Sequence, residues 1–191
     1  FGIQLTPKLI YHAGFKINPQ DTNVISGGIF TNTLSTALSI GGEASYSLGK
    51  ILGKPQWTID LEGSFSIPDL TTNTNYSVIG YLYDFYLGFR KKYWIKQWSL
   101  QPFMRIGINV FEVSFLDTSN EYKMETTALK VGMSAEKMIK PFLLLGSSAF
   151  ATITFGQPTI TYTNDNFSDS ATAENSRLNW HGFNLYLSWI R

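Results

Sequence analysis

The sequence predicts an all-β chain, a closed eight-stranded antiparallel up-and-down transmembrane β-barrel with an apolar exterior toward lipid and a polar, filled lumen. Three observations carry this expectation. Apolar and polar residues alternate with period two along eight runs, which puts them on opposite faces of strands. The polar face is Ser, Thr and Gly with scattered charges, small enough for a narrow interior, where a water-facing exterior would be rich in Lys and Glu. Charged residues make up 15% of the 191, against 43% hydrophobic and 15% aromatic, well under the roughly 25% charged of an ordinary soluble domain.

The runs are read in order. The first sets Phe1, Ile3, Leu5, Leu9, Tyr11, Ala13 and Phe15 against Gln4, Thr6, Lys8, His12 and Gly14. The second sets Leu34, Leu38, Ile40, Ala44, Tyr46 and Leu48 against Ser35, Ser39, Gly41, Glu43, Ser45 and Ser47. In the third, Trp57, Ile59, Leu61, Phe65 and Ile67 oppose Thr58, Asp60, Glu62, Ser64 and Ser66. The fourth puts Ile79, Tyr81, Tyr83, Phe85, Leu87 and Phe89 opposite Gly80, Asp84, Tyr86 and Gly88. Trp98, Leu100, Met104, Ile106, Ile108 and Val110 then oppose Ser99, Gln101, Arg105, Gly107 and Asn109. Thr127, Leu129, Val131, Met133 and Ala135 oppose Lys130, Gly132, Ser134 and Glu136. The seventh run, Leu143 to Phe155, alternates least cleanly because Leu144 and Phe150 fall on its polar face. The last sets Phe183, Leu185, Leu187 and Trp189 against Gly182, Asn184, Tyr186 and Ser188.

Most runs exceed the common globular strand of about 5–6 residues and suit the roughly 9–11 tilted residues that cross a bilayer. No apolar stretch approaches the ~20 residues of a membrane helix. Links at 50–55, 91–97 and 138–141 are short, while 16–33, 68–75, 115–125 and 156–177 are longer and crowded with Pro, Asn, Asp, Ser and Thr, which is loop chemistry. No linker or repeat divides residues 1–191, so a single barrel domain is expected. The chain opens at Phe1 with no charged-then-apolar leader, so any export signal is expected to have been removed.

Composition also excludes functions. Fifteen bases against fourteen acids give a net charge of +1, leaving no basic excess for nucleic acid. The absence of Cys removes disulfides, thiolate metal sites and a lipid-bearing N-terminal Cys. The sequence holds no GxSxG, HExxH, phosphate-binding loop or dinucleotide fingerprint, and neither cofactor nor metal is expected. The glycosylation triplets at Asn75 and Asn166 receive no role.

Aromatic rings at Trp57, Tyr93, Trp94, Trp98 and Trp189 gather at the short-link end, as a girdle at headgroup level should. Counting residues from that end puts Lys8, Glu43, Glu62, Asp84, Arg105 and Lys130 at similar inward depth, with Asp60 one step lower beside Gln101, and Arg90 and Glu136 near the rim. Buried charges are costly unless paired, so this belt is expected to be a salt-bridge plug; a proton or ion relay is the functional alternative. Nine bases, Lys50, Lys54, Arg90, Lys91, Lys92, Lys96, Lys137, Lys140 and Arg191, sit at or beside the short links and the C-terminus. The long links hold Asp21, Asp69, Asp117, Glu121, Glu125, Asp165, Asp169 and Glu174, with Lys123 and Arg177 as exceptions. These carboxylates would suit divalent cations shared with anionic lipid, although no spacing matches a dedicated calcium loop.

On this architecture the sequence resembles the small eight-stranded bacterial outer-membrane barrels, the group that includes the OmpA transmembrane domain and OmpX. The segment Gly182-Phe183-Asn184-Leu185-Tyr186-Leu187-Ser188-Trp189 is similar to that group's C-terminal assembly signal, with Gly182, Leu185, Leu187 and Trp189 at its defining positions, although Ile190 and Arg191 follow the aromatic. The resemblance implies a bacterial outer-membrane location, periplasmic termini and short turns, and long extracellular loops. It also implies contact with outer-membrane lipid, lipopolysaccharide included, and with the barrel-assembly machinery during insertion.

The function expected is that of a non-enzymatic anchor whose loops 16–33 and 156–177 contact surface lipid, other cells or partner proteins. The alternatives are a packing subunit beside a membrane protein partner, a narrow conduit for small or hydrophobic solutes, a soluble carrier, and a lipid-modifying enzyme. For the enzyme, His181 near Ser176, Glu174 and Asp169 is the pair to consider, with His12 facing the lumen.

Overall fold

A computed structural model describes residues 3–16, 34–49, 56–68, 78–116, 121–164, 167–172 and 179–190. Its strands are β1 (Ile3–Lys16), β2 (Leu34–Ser47), β3 (Trp57–Ser66), β4 (Val78–Lys91), β5 (Tyr93–Ile95), β6 (Trp98–Phe115), β7 (Glu121–Lys140), β8 (Leu143–Asn164), β9 (Phe167–Thr172) and β10 (Asn179–Ile190). Eight of them form a closed antiparallel wall in the order β1-β2-β3-β4-β6-β7-β8-β10, with β10 pairing both β8 and β1. The closing pairs include Leu9 with Leu185 and Phe150 with Gly182. Closure gives every wall strand two partners, which a chain without water beside its backbone requires. No helix among the described residues is long and apolar enough to cross a membrane.

The period-two pattern sorts side chains as their chemistry demands. Leu5, Leu9, Ile40, Leu61, Phe85, Leu87, Ile106, Ile108, Ile153 and Leu185 point outward and are exposed. Lys8, Glu43, Glu62, Asp84, Arg105 and Lys130 point inward and are buried. Ile106 is 53% exposed while its neighbour Arg105 is 1% exposed, an inversion of the soluble pattern that suits an apolar solvent outside. This orientation rules out the water-soluble carrier, whose apolar face would line the interior.

Several boundaries differ from those read in the sequence. Residues 115–125 and 156–177 are strand for much of their length. Strand β6 runs to Phe115 and β7 starts at Glu121, with Ser114 opposite Glu121. Strand β8 continues to Asn164 and turns back into β9, where Thr159 opposes Thr172. On the outward side of this extension, hydroxyls of Thr161 and Ser170 are 3.0 Å apart and those of Thr163 and Ser168 are 3.2 Å apart. The link 91–97 contains β5, hairpinned onto β6 through Lys96 and Gln97, and β7 persists through Lys140 so that only 141–142 turn. Links 16–33, 50–55 and 68–75 lie mostly outside the described residues.

The extension needs one adjustment. Between Thr127 and Glu125 on β7, β8 advances from Phe155 to Thr159. Gly156 takes up this bulge at φ 81°, a left-handed conformation that costs glycine least. Inward and outward faces are preserved beyond it, since Tyr162 opposes Tyr122 and Ile160 opposes Met124. The two residues that break the alternation of the seventh run, Leu144 and Phe150, are buried on the inward face.

Candidate functional site

The interior is layered. Nearest the short-turn end lie Gln4, Thr6, Ser99, Gln101 and Ser188, all buried. Above them is an ion-pair network, then a belt of Ser, Thr and Asn, and finally an apolar collar of Leu82, Phe111, Val113, Phe115 and Met124. The collar continues into ring contacts from Phe115 to Tyr122 (5.7 Å) and from Tyr122 to Tyr162 (4.8 Å).

The network is built around three carboxylates. Glu43 accepts from Lys8 Nζ at 2.5 Å, Arg105 Nη2 at 2.7 Å and Ser45 Oγ at 2.8 Å, and also pairs with Arg90. Glu62 accepts from Arg105 Nη1 at 2.5 Å and from Lys8 and Lys130. Asp60 takes Arg90 Nε at 2.9 Å, Arg105 Nη2 at 3.0 Å and Thr58 Oγ1 at 3.1 Å. Three of the cations also rest on rings: Lys130 Nζ is 4.1 Å from the Phe150 centroid, the Arg105 guanidinium is 4.3 Å from that of Phe103, and Lys8 Nζ is 5.7 Å from that of Tyr186. Every member is nearly free of solvent. At such burial each lone ion would cost several kcal/mol, so mutual pairing is what makes the cluster tolerable.

Two residues assigned near the rim from sequence are fully drawn into the lumen by their side chains. Arg90 is 1% exposed and reaches Glu43 and Asp60. It also donates to Gln101 Oε1 at 3.0 Å. Glu136 is fully buried and accepts from Gln4 Nε2 across the lumen at 3.0 Å, from Tyr186 Oη at 3.3 Å and from Gln101. Counting Cα positions along a strand ignores how far an arginine or glutamate side chain reaches along the barrel axis. The inward parity of Arg90 and Glu136 was the available signal. Asp84 differs in the other direction: it accepts from Ser64 Oγ at 2.9 Å and has no base within 4.0 Å among the described residues.

At the short-turn end, Tyr93, Trp94, Trp98 and Trp189 are exposed and Trp57 is half-buried. Lys91 Nζ lies 4.7 Å from the Tyr93 ring and 5.6 Å from the Trp57 ring, and Lys137 Nζ lies 5.6 Å from the Trp98 ring. Cation and ring together fit an interface of headgroups and acyl chains. On β10, Leu185, Leu187 and Trp189 face outward, whereas Gly182 opposes Phe150 and His12.

At the opposite end, Glu121 and Glu125 are carried on β7, and Lys123 Nζ pairs with Glu125 at 2.7 Å. Asp21, Asp69, Asp117, Asp165, Glu174 and Arg177 lie outside the described residues, as do Lys50, Lys54 and Arg191. His181 is exposed on the outer face. Ser176 lies outside the described residues, and the side chains of His12 and Asp169 do too, so the histidine constellation is not assembled by the described geometry.

No protein family model matches the chain, and no curated protein sequence matches it. Solved structures do. Neisserial surface protein A is similar over 98% of this chain and 96% of its own, with a TM-score of 0.64 at 9% identity. A major outer membrane protein from Thermus thermophilus is similar over 98% and 99%, with a TM-score of 0.59 at 14% identity. Ail, the attachment invasion locus protein of Yersinia pestis, is similar over 100% and 99%, with a TM-score of 0.51 at 9% identity. At these identities the likeness is one of fold, and that fold is the eight-stranded outer-membrane barrel.

Proposed function

We propose that this chain is a non-enzymatic barrel of a bacterial outer membrane, anchored by its apolar wall, closed in its lumen by the ion-pair network, and acting at the surface through its long hairpins. The observation that carries the reading is the cross-lumen bonding of Glu43, Asp60, Glu62 and Glu136 to Lys8, Arg90, Arg105, Lys130 and Gln4. Eight strands leave an interior about wide enough for side chains, and these side chains occupy it. The network sits where a solute would have to pass.

The orientation proposed places the termini and short turns in the periplasm and the β6–β9 hairpins outside the cell. The rings and lysines at the short-turn end support it, as does the polar Thr–Ser face of β8 and β9. The proposed partners are outer-membrane lipid with its lipopolysaccharide, the barrel-assembly machinery during insertion, and a membrane protein or surface ligand met through the hairpins.

Planar-bilayer recording tests the reading. The purified barrel should give no stable unitary conductance, and Glu62→Ala should introduce one. Steady conductance by the unaltered protein would replace the closed anchor with a conduit.

A further inference from the structure

Above the ion pairs, the lumen holds polar groups that the network does not use. Asp84, Asn109 and Thr126 are successive cross-strand partners on β4, β6 and β7, and Ser39 and Ser66 are partners on β2 and β3. All five are at most 6% exposed. Asp84 Oδ1, Asn109 Nδ2, Thr126 Oγ1, Ser39 Oγ and Ser66 Oγ have no hydrogen-bond partner among the described residues. Buried polar atoms are nearly always satisfied, so these bare ones, carried on β2, β3, β4, β6 and β7 around the lumen, call for a bound polar species.

Charge selects which species. Among the described residues the buried bases are Lys8, Arg90, Arg105 and Lys130, and the buried acids are Glu43, Asp60, Glu62, Asp84 and Glu136. Four of those acids lie within 4.0 Å of a base. Lys92, at the inner rim, hydrogen-bonds Gln4 at 2.7 Å and so adds its charge near Glu136. Lys130, the base on the strand beside Asn109, donates to Glu62. Asp84 is the one of these acids with no base within 4.0 Å among the described residues.

We propose that this arc binds one small monovalent cation, with Asp84 Oδ1 as its charged ligand and the Ser39, Ser66 and Thr126 hydroxyls as neutral ligands, directly or through water. Hard cations take oxygen donors, which these are. Asn109 Nδ2 supplies a donor to a water on the ion. A single positive charge balances Asp84 one for one. The site is separate from the ion pairs and stands whether or not they block conduction.

The experiment is thermal unfolding of the detergent-solubilised barrel in sodium, potassium or N-methylglucamine chloride at equal ionic strength. Sodium or potassium should raise Tm over the bulky organic cation by on the order of 3 °C. Asp84→Asn should abolish that rise, while Glu125→Gln, at the exposed pair with Lys123, should keep it. Sodium-23 relaxation provides a readout independent of folding yield: broadening by the unaltered protein should disappear in Asp84→Asn. Identical Tm in all three salts without broadening, or a cation effect that survives in Asp84→Asn, overturns the site and leaves water as its occupant.

Discussion

Gly146 on β8 and Tyr186 on β10 are cross-strand partners, and a Cβ on Gly146 would lie 2.3 Å from the Tyr186 ring. The ring therefore fills space that exists only because its partner has no side chain. From there its hydroxyl lies 3.3 Å from Glu136, the partner of Gly146 on β7.

Gly146→Ala should accordingly cost about 1–3 kcal/mol through overpacking. The urea midpoint of the barrel in detergent measures it. Most of the penalty should vanish in a Tyr186→Ala background; an equal penalty there would mean that the ring is not what the new methyl meets.

Removing the Glu62 carboxylate leaves Lys130 without an acid within 4.0 Å among the described residues and leaves Lys8 and Arg105 one carboxylate fewer beside Glu43. Glu62→Ala should destabilise by about 3–5 kcal/mol, the usual cost of breaking a buried pair. Lys123→Ala breaks an exposed pair with Glu125 and should change stability by no more than about 1 kcal/mol. Equilibrium unfolding of both variants in vesicles makes the comparison.

A charge on the outer wall should be penalised by depth. Ile106 is outward-facing and exposed midway along β6, so Ile106→Arg should cost about 2–4 kcal/mol in a bilayer. Ser168→Arg, on the exposed β9 hairpin, should cost almost nothing. Folded yield into lipid vesicles reads the difference, and equal yields would mean that the wall does not face acyl chains.

Lys96 turns β5 into β6 at φ 57°, where a side chain is strained. Lys96→Gly should stabilise by up to about 1 kcal/mol, and Lys96→Val should destabilise. A lower urea midpoint for the glycine variant would show that the lysine makes a compensating contact.

The strand pattern was legible wherever lipid lies on one side and the lumen on the other. Leu61 beside Glu62 and Ile106 beside Arg105 need opposite surroundings, and the alternation records it. The signal fades beyond the barrel wall, where neither face must be apolar. In 159–164 and 167–172, Thr, Asn and Ser hold a ladder by backbone hydrogen bonds, and their side chains resemble loop chemistry although the backbone is extended. The charged lumen was readable as a set of inward residues and less so as a network. Arg90 and Glu136 join it through side-chain reach, and Asp84 stands apart while Lys130, two strands away on β7, turns toward Glu62. Neither relationship follows from strand position.

Among the described residues, the continuation of β6, β7, β8 and β9 past the seam between β8 and β10, where the last pair is Thr152 with Trp180, raises the wall on one flank. A neighbour sliding past on that flank meets a fence of backbone. A partner that approaches from that flank meets main chain before it meets lipid.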